Sequence, residues 1–315
     1  MGGFNYIYNL VSTSTDGKIL IWSPENKFDH PIRGHLLARK KKGELSIMGG
    51  TALDMNCKDI NSFIVGTEGG SIFKCNLPLT SFSDKIVSSG QFDTFQKRLR
   101  WKKEAVDFMN TITNKVNMEK VKQEVERYCM DRSIKEVEAV HIFNAKPEIK
   151  FIFSVPFNLS YEKQFGPCQA ISCSPFHRKI FISCSIDGSI KMYDIINNRS
   201  IASFEPSTNE YLMDVCFSPI RPAVFAVIGT KGIPYIYDLT VSRQTPAYTL
   251  EDEKDEKVIR RVGGVKIAFN PRQRDFIAVG LIEGHTKVYK LNQSLSNPKQ
   301  NEINVLEDML IDSEN

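Results

Sequence analysis

The stretch from Cys168 to Leu239 says one thing twice, and this repetition constrains the fold more than any other feature of the chain. The first copy runs Ala170-Ile171-Ser172-Cys173-Ser174-Pro175, continues to Ser185-Ile186-Asp187-Gly188 and ends Lys191-Met192-Tyr193-Asp194. The second runs Asp214-Val215-Cys216-Phe217-Ser218-Pro219, continues to Gly229-Thr230-Lys231-Gly232 and ends Tyr235-Ile236-Tyr237-Asp238. In both, 13 residues lead from the proline to the glycine and 5 more to the tyrosine. A fixed period of this kind marks stacked units, none of which buries its apolar surface alone.

The repeat is all-β. Short alternating apolar runs suit half-buried strands, and Ser-Pro closes a strand because proline has no N–H to give the ladder. Asp-Gly suits a two-residue hairpin whose central residues both take positive φ. Each copy therefore holds one strand before Ser-Pro, one after it and one after the glycine. With a fourth strand this is a blade of a β-propeller.

The rest of the chain extends the pattern. Val11–Gly17 leads to Ile19-Leu20-Ile21-Trp22, with Trp22 again 5 residues after Gly17, so the sequence opens part-way through a blade. Residues 25–48 read as a connection, with Gly34-His35 and the basic run Arg39–Lys42 on a solvated loop; a phosphate-binding patch is the alternative. The next blade holds Gly50–Met55, Phe63–Gly70 and Ile72-Phe73-Lys74, with Gly69 as its hairpin glycine and Lys74 in the slot of Trp22. The last holds Val265–Pro271, Phe276–Gly280 and Glu283–Tyr289, again 13 residues from Pro271 to Gly284. Gly69 and Gly188 are 119 residues apart, one repeat plus about 70 more.

Those extra residues change character. From Gln96 to Val140 there is neither glycine nor proline, and Ala105, Phe108, Met109, Ile112 and Val116 recur at helical spacing. The expected organisation is propeller blades over 1–84, an α-helical insertion over 85–148, blades over 149–292 beginning with a strand over 150–155, and an acidic, disordered tail over 293–315. About four and a half blades are present, an incomplete ring.

Composition excludes more than it assigns. A net charge of +4 with 41% apolar residues demands neither nucleic acid nor membrane as partner. No apolar run approaches the roughly 18 residues of a membrane helix. Seven cysteines lie scattered without a Cys-x-x-Cys pair and read as reduced thiols of strand cores. The five histidines sit in unrelated contexts, and no nucleophile elbow or phosphate loop is found. No catalytic residue, metal site or cofactor follows from this sequence.

The repeat grammar resembles the WD-repeat family, with Tyr-Asp at 193–194 and 237–238 in place of Trp-Asp. More narrowly, Phe63–Gly70 with Lys74-Cys75, Ser172–Arg178 and Phe217–Ala226 resemble the C-terminal propeller of dynein intermediate chains. Lys41-Lys42-Gly43-Glu44 before Gly50-Thr51-Ala52 places the resemblance nearest the dynein 2, or intraflagellar-transport, branch; axonemal intermediate chains are the near alternative and a generic WD-repeat adaptor the distant one. The resemblance covers nearly all of 5–292 outside the insertion. It implies a seven-bladed ring of which this chain holds part, and a non-catalytic subunit that scaffolds the dynein heavy-chain tail for retrograde intraciliary transport and cilium assembly. It further implies a second intermediate chain as partner and a place in the cytoplasm, the cytoskeleton and the cilium. It implies dynein light chains as further partners through an N-terminal segment, which is expected to be absent here.

On that footing one partner surface is expected. The loops after the prolines carry Arg178, Arg221, Arg272 and Arg274, and equivalent loops of a propeller share a face. Guanidinium groups capture carboxylates bidentately. A basic arc of these four arginines, with Phe176 and Ile220, is the expected heavy-chain contact; the plainer reading is solvated arginines that stabilise their own turns.

Overall fold

Alternating apolar strands separated by glycine-bearing turns do assemble into antiparallel sheets stacked side by side. The structure, a computed structural model, describes residues 9–28, 31–41, 44–56, 59, 62–76, 157–206, 210–250 and 263–314. The helical insertion expected over 85–148 and the strand expected over 150–155 lie outside these residues.

Five sheets follow one another. The first is β1 (Leu10–Thr13), β2 (Lys18–Trp22) and β3 (Pro31–Leu36); a small hairpin of β4 (Ala38–Lys41) and β5 (Glu44–Ile47) comes next. The second sheet is β6 (Gly50–Met55), β7 (Ser62–Thr67), β8 (Ile72–Asn76) and β9 (Phe157–Ser160). The third is β10 (Cys168–Cys173), β11 (Ile180–Ser185), β12 (Ile190–Asp194) and β13 (Ser200–Phe204), the fourth β14 (Leu212–Phe217), β15 (Val224–Gly229), β16 (Pro234–Asp238) and β17 (Tyr248–Thr249). The fifth has three strands among the described residues, β18 (Gly264–Phe269), β19 (Phe276–Leu281) and β20 (Thr286–Lys290). These are the blades of a partial propeller.

Apolar clusters fill each seam between neighbours. Phe181, Tyr193 and Ile171 from the third blade meet Ala52, Ile64 and Ile72 from the second, and Phe225, Tyr237 and Val227 of the fourth meet Ile180, Ile182 and Met192 of the third. Side chains of the leading strands also cross the seams. The Asp54 carboxylate accepts the Cys173 N–H at 2.6 Å, the Ser172 hydroxyl accepts the Phe217 N–H at 3.1 Å, and Asp214 accepts the Ile267 N–H at 2.9 Å. Glu162, between the second and third blades, accepts from Lys191 Nζ at 2.5 Å and from Ser200 Oγ at 2.8 Å. The leading strands of the second to fifth blades each carry a bulge at the same place, at Thr51, Gln169, Met213 and Val265. A bulge bends and twists the strand that carries it.

Three expectations require correction. The blade turns are not two-residue hairpins. In the third blade Gly188 N–H donates to Ser185 O at 3.1 Å and Ser185 N–H to Ser189 O at 3.2 Å, and Gly188 alone has positive φ, at 84°. This is a three-residue loop closed by a glycine bulge, so only the last position needs the left-handed region. The same geometry makes Gly70 (φ 77°), not Gly69, the hairpin glycine of the second blade, which puts Cys75 rather than Lys74 level with Trp22 and Tyr193. Residues 25–48 are not a plain loop: β3 completes the first blade, with Ile19 opposite a buried His35, and the basic run enters β4.

Third, residues 293–315 are not a disordered tail. They form α1 (Gln293–Ser296) and α2 (Glu302–Glu314), with Leu306, Met309 and Leu310 buried in the cluster shared by the third and fourth blades. Asn292 starts α1 by accepting the Leu295 N–H on its side chain at 3.1 Å. Glu307, Asp308 and Asp312 occupy the outer face of α2, and the apolar residues repeat at helical spacing beneath them.

The Gly69 and Gly70 assignments separate cleanly in an unfolding experiment. A Cβ at Gly70 meets the carbonyl oxygens of Gln164 and Gly166 and demands a left-handed backbone, whereas one at Gly69 meets nothing within 4 Å. Gly70→Ala is expected to cost about 1–3 kcal/mol and Gly69→Ala less than about 0.5 kcal/mol in urea denaturation.

Candidate functional site

The loops that follow the leading strands are built to one plan. Ser174 Oγ accepts from the N–H groups of Phe176 (3.3 Å) and His177 (3.1 Å). Ser218 Oγ accepts from Ile220 (3.3 Å) and Arg221 (3.1 Å), and Asn270 Oδ1 from Arg272 (2.9 Å) and Gln273 (3.0 Å). Side chains that turn back onto the next two amides hold the loop without help from a ladder. Asn56, at the same place in the second blade, instead donates from Nδ2 to the Arg178 carbonyl at 3.0 Å and ties two loops together.

This common frame resolves the expected arginine arc. Arg178 and Arg274 are equivalent, each four residues beyond the capping side chain, and both are exposed; Arg272 is exposed as well. Phe176 and Ile220 are half-buried. Arg221 stands level with His177 and Gln273, one residue earlier, while Pro222 takes the place of Arg178. The expectation that Arg221 belongs to an open basic arc is overturned, because it is 0% exposed.

Its guanidinium is engaged within the chain. Nη1 donates to Asp238 Oδ2 and to the Ser294 carbonyl, each at 2.7 Å, and Nε donates to Glu302 Oε1 at 2.6 Å. Nη2 also lies against Glu302. Lys299 adds a second cation, with Nζ 3.1 Å from Asp238 Oδ2 and 3.1 Å from Thr240 Oγ1. One buried arginine thus joins the end of β16, α1 and the first turn of α2. Burial works against the charge of Asp238, but its bonds to Arg221, Thr240 and Lys299 prevail and hold its carboxyl below the ordinary 3.8. Farther along α2, Arg243 pairs with Asp312 at 3.1 Å. The helix covers the seam of the third and fourth blades on this face, and the negative charge of Glu307 acts on His177, whose pKa is nevertheless lowered, chiefly by burial.

The chemistry available elsewhere is slight. Among the described residues no group of histidine, cysteine and acidic side chains is arranged to hold a metal ion, and no helix is long and apolar enough to cross a membrane. Burial pushes the thiols of Cys168, Cys184 and Cys216 up, which keeps them protonated and inert.

Stacked blades with this repeat define a β-propeller protein of the WD-repeat type. Across almost its whole length the chain is similar to dynein intermediate chains. It is 24% identical over 302 residues to cytoplasmic dynein 2 intermediate chain 2 of Homo sapiens, covering 92% of this chain and 44% of that protein. The mouse (Mus musculus) protein of the same name is 23% identical over 314 residues, covering 96% and 46%. The ciliary dynein intermediate chain 2 of Heliocidaris crassispina is 24% identical over 298 residues, covering 91% and 31%. The chain therefore spans less than half the length of these curated relatives. No family model matches it.

Removal of the buried cation tests this architecture. Arg221→Met strips Glu302 of its cation and leaves Asp238 only Lys299, and is expected to cost about 3–5 kcal/mol, against less than about 0.5 kcal/mol for the exposed Arg178→Met, by urea unfolding. The acid dependence has a definite sign. Because the folded pKa of Asp238 lies below 3.8, its stabilising contribution is complete above that value and is lost as pH falls through the lower folded value. Asp238→Asn is expected to flatten the stability–pH curve in that window.

Proposed function

We propose that the chain is a non-catalytic intermediate-chain subunit of a dynein motor, of the dynein 2 type, serving retrograde intraciliary transport and cilium assembly. The observation that carries this reading is similarity to dynein 2 intermediate chains over more than nine-tenths of the chain, 92% and 96% in the two cases. In this role the blades form a rigid scaffold that buries part of the heavy-chain tail, and nucleotide chemistry belongs to the heavy chain. The contact we assign is the loop face: Arg178, Arg272 and Arg274 for carboxylates, with Phe176 and Ile220 as apolar neighbours. Arg221 has no part in it. A second intermediate chain is a further partner. Similarity to a ciliary dynein intermediate chain supports an axonemal motor as the second reading.

Affinity purification of the tagged chain from ciliated cells, followed by mass spectrometry, tests the reading. Recovery of the dynein 2 heavy chain is the expected result. An axonemal heavy chain in its place establishes the second reading, and the absence of any heavy chain leaves a WD-repeat adaptor of another complex. Charge reversal at Arg178 and Arg274 is expected to lower heavy-chain recovery about tenfold, the scale of losing roughly 1.4 kcal/mol of interface energy. Undiminished recovery removes the loop face from the assignment.

A further inference from the structure

The groove that α2 fills has the makings of a helix receptor. Its floor is the apolar seam of the third and fourth blades, where Leu306, Met309 and Leu310 sit among residues such as Met192, Phe204 and Phe225. Its end wall is the buried Arg221, which takes a carboxylate from the first turn of the helix. Both features specify an occupant: an acidic amphipathic helix with a glutamate in its first turn, a leucine four residues on, and apolar residues three and four beyond that.

The fit of α2 leaves polar groups unanswered. Glu302 Oε2, Tyr237 Oη and His177 Nδ1 are all buried without a hydrogen-bond partner. Tyr237 belongs to the same apolar cluster as Leu306, Glu302 is the anchor itself, and Glu307 acts on His177. Buried polar atoms are normally satisfied, and each that is not weakens the packing that buries it. The helix is also joined to the blades by a short segment, 297–301, whose last residue, Asn301, has φ 67°. By contrast, the β11 and β15 strands of the two blades are buried at every position.

We propose that this groove is an exchangeable docking site, closed in cis by α2 and opened to a partner's acidic amphipathic helix that carries the same anchors. The occupied groove excludes the partner, so the C-terminal helix acts as an internal competitor. An internal competitor lowers apparent affinity by the fraction of molecules in which the groove is open. This inference goes beyond the motor reading and stands without it, since it concerns only what the groove accepts.

Two measurements test it. In hydrogen exchange on the full wild-type chain, the amides of 303–312 are expected to exchange at least about tenfold faster than those of β11 and β15, by opening on their own. Exchange of α2 only together with those strands overturns the proposal. A fluorescein-labelled peptide of residues 301–315 is the probe for the second. It is expected to bind the full-length L306D/L310D double variant at least about tenfold more tightly than wild type, and to lose that binding when R221M is added. Equal binding to wild type and the double variant, or binding indifferent to Arg221, overturns it. If the double variant lacks the circular dichroism of the native β-sheets, hydrogen exchange on the wild type decides alone.

Discussion

A strand that is apolar on both sides has no stable existence in a lone sheet. In the three middle blades the second strand is such a strand: every residue of β7, β11 and β15 is buried. Covering the two faces requires a sheet on each side. Burying a single large aliphatic or aromatic side chain contributes about 1.5–3 kcal/mol, so each seam outweighs any hydrogen bond that crosses it. The outer blades show the converse. β19 alternates between buried and half-buried positions and β2 buries only alternate residues, because each has a neighbour on one side among the described residues. Burial therefore tracks place in the stack rather than differences in composition.

The tyrosines of the repeat are part of the same constraint. Tyr193 stacks on Phe181 with ring centroids 4.9 Å apart and Tyr237 on Phe225 at 4.7 Å, both nearly parallel. Each ring fills a seam with rigid apolar area at low entropic cost. The Tyr193 hydroxyl reaches back to the Glu162 carbonyl at 3.1 Å, which registers the third blade against the segment entering it. The slot five residues after the hairpin glycine is thus a packing position first. Cys75 serves there in the second blade with less area, within a seam that Phe63 and Phe73 already fill.

Much of this was legible in the residues. The proline-to-glycine spacing gave the blades because turn chemistry and strand length are both local. Register within a turn was harder: Gly69 and Gly70 look alike in the chain, and it is the three-residue loop, with the Gly70 N–H donating to the Thr67 carbonyl at 2.9 Å, that makes Gly70 the left-handed position. The C-terminal helix was hidden by its outer face. Acidic content suggested solvation, while the signals that mattered were the capping Asn292 for α1 and the spacing of Leu306, Met309 and Leu310 for α2. Arginine 221 was misread for a related reason. Both arginines follow a Ser-Pro pair, but Arg178 stands three residues after its proline and Arg221 only two, level with His177, and that one-residue difference accompanies its turn inward.

Turning an arginine inward is costly unless its charge is met. A buried ion pair rarely exceeds a well-packed apolar replacement in stability, yet removing one member leaves an uncompensated charge. Here one guanidinium meets Asp238 of the fourth blade, the Ser294 carbonyl and Glu302 of α2, groups up to 81 residues away in the chain. An apolar substitute would pack against many helices in many registers. A planar cation with fixed donor directions accepts one carboxylate at one place, so the gain is specificity of docking more than free energy. That distinction explains how an arginine of equivalent loops can be exposed in one blade and sealed in the next. The loops share a backbone frame, and the element that lies over them decides whether their charge faces solvent or serves the fold.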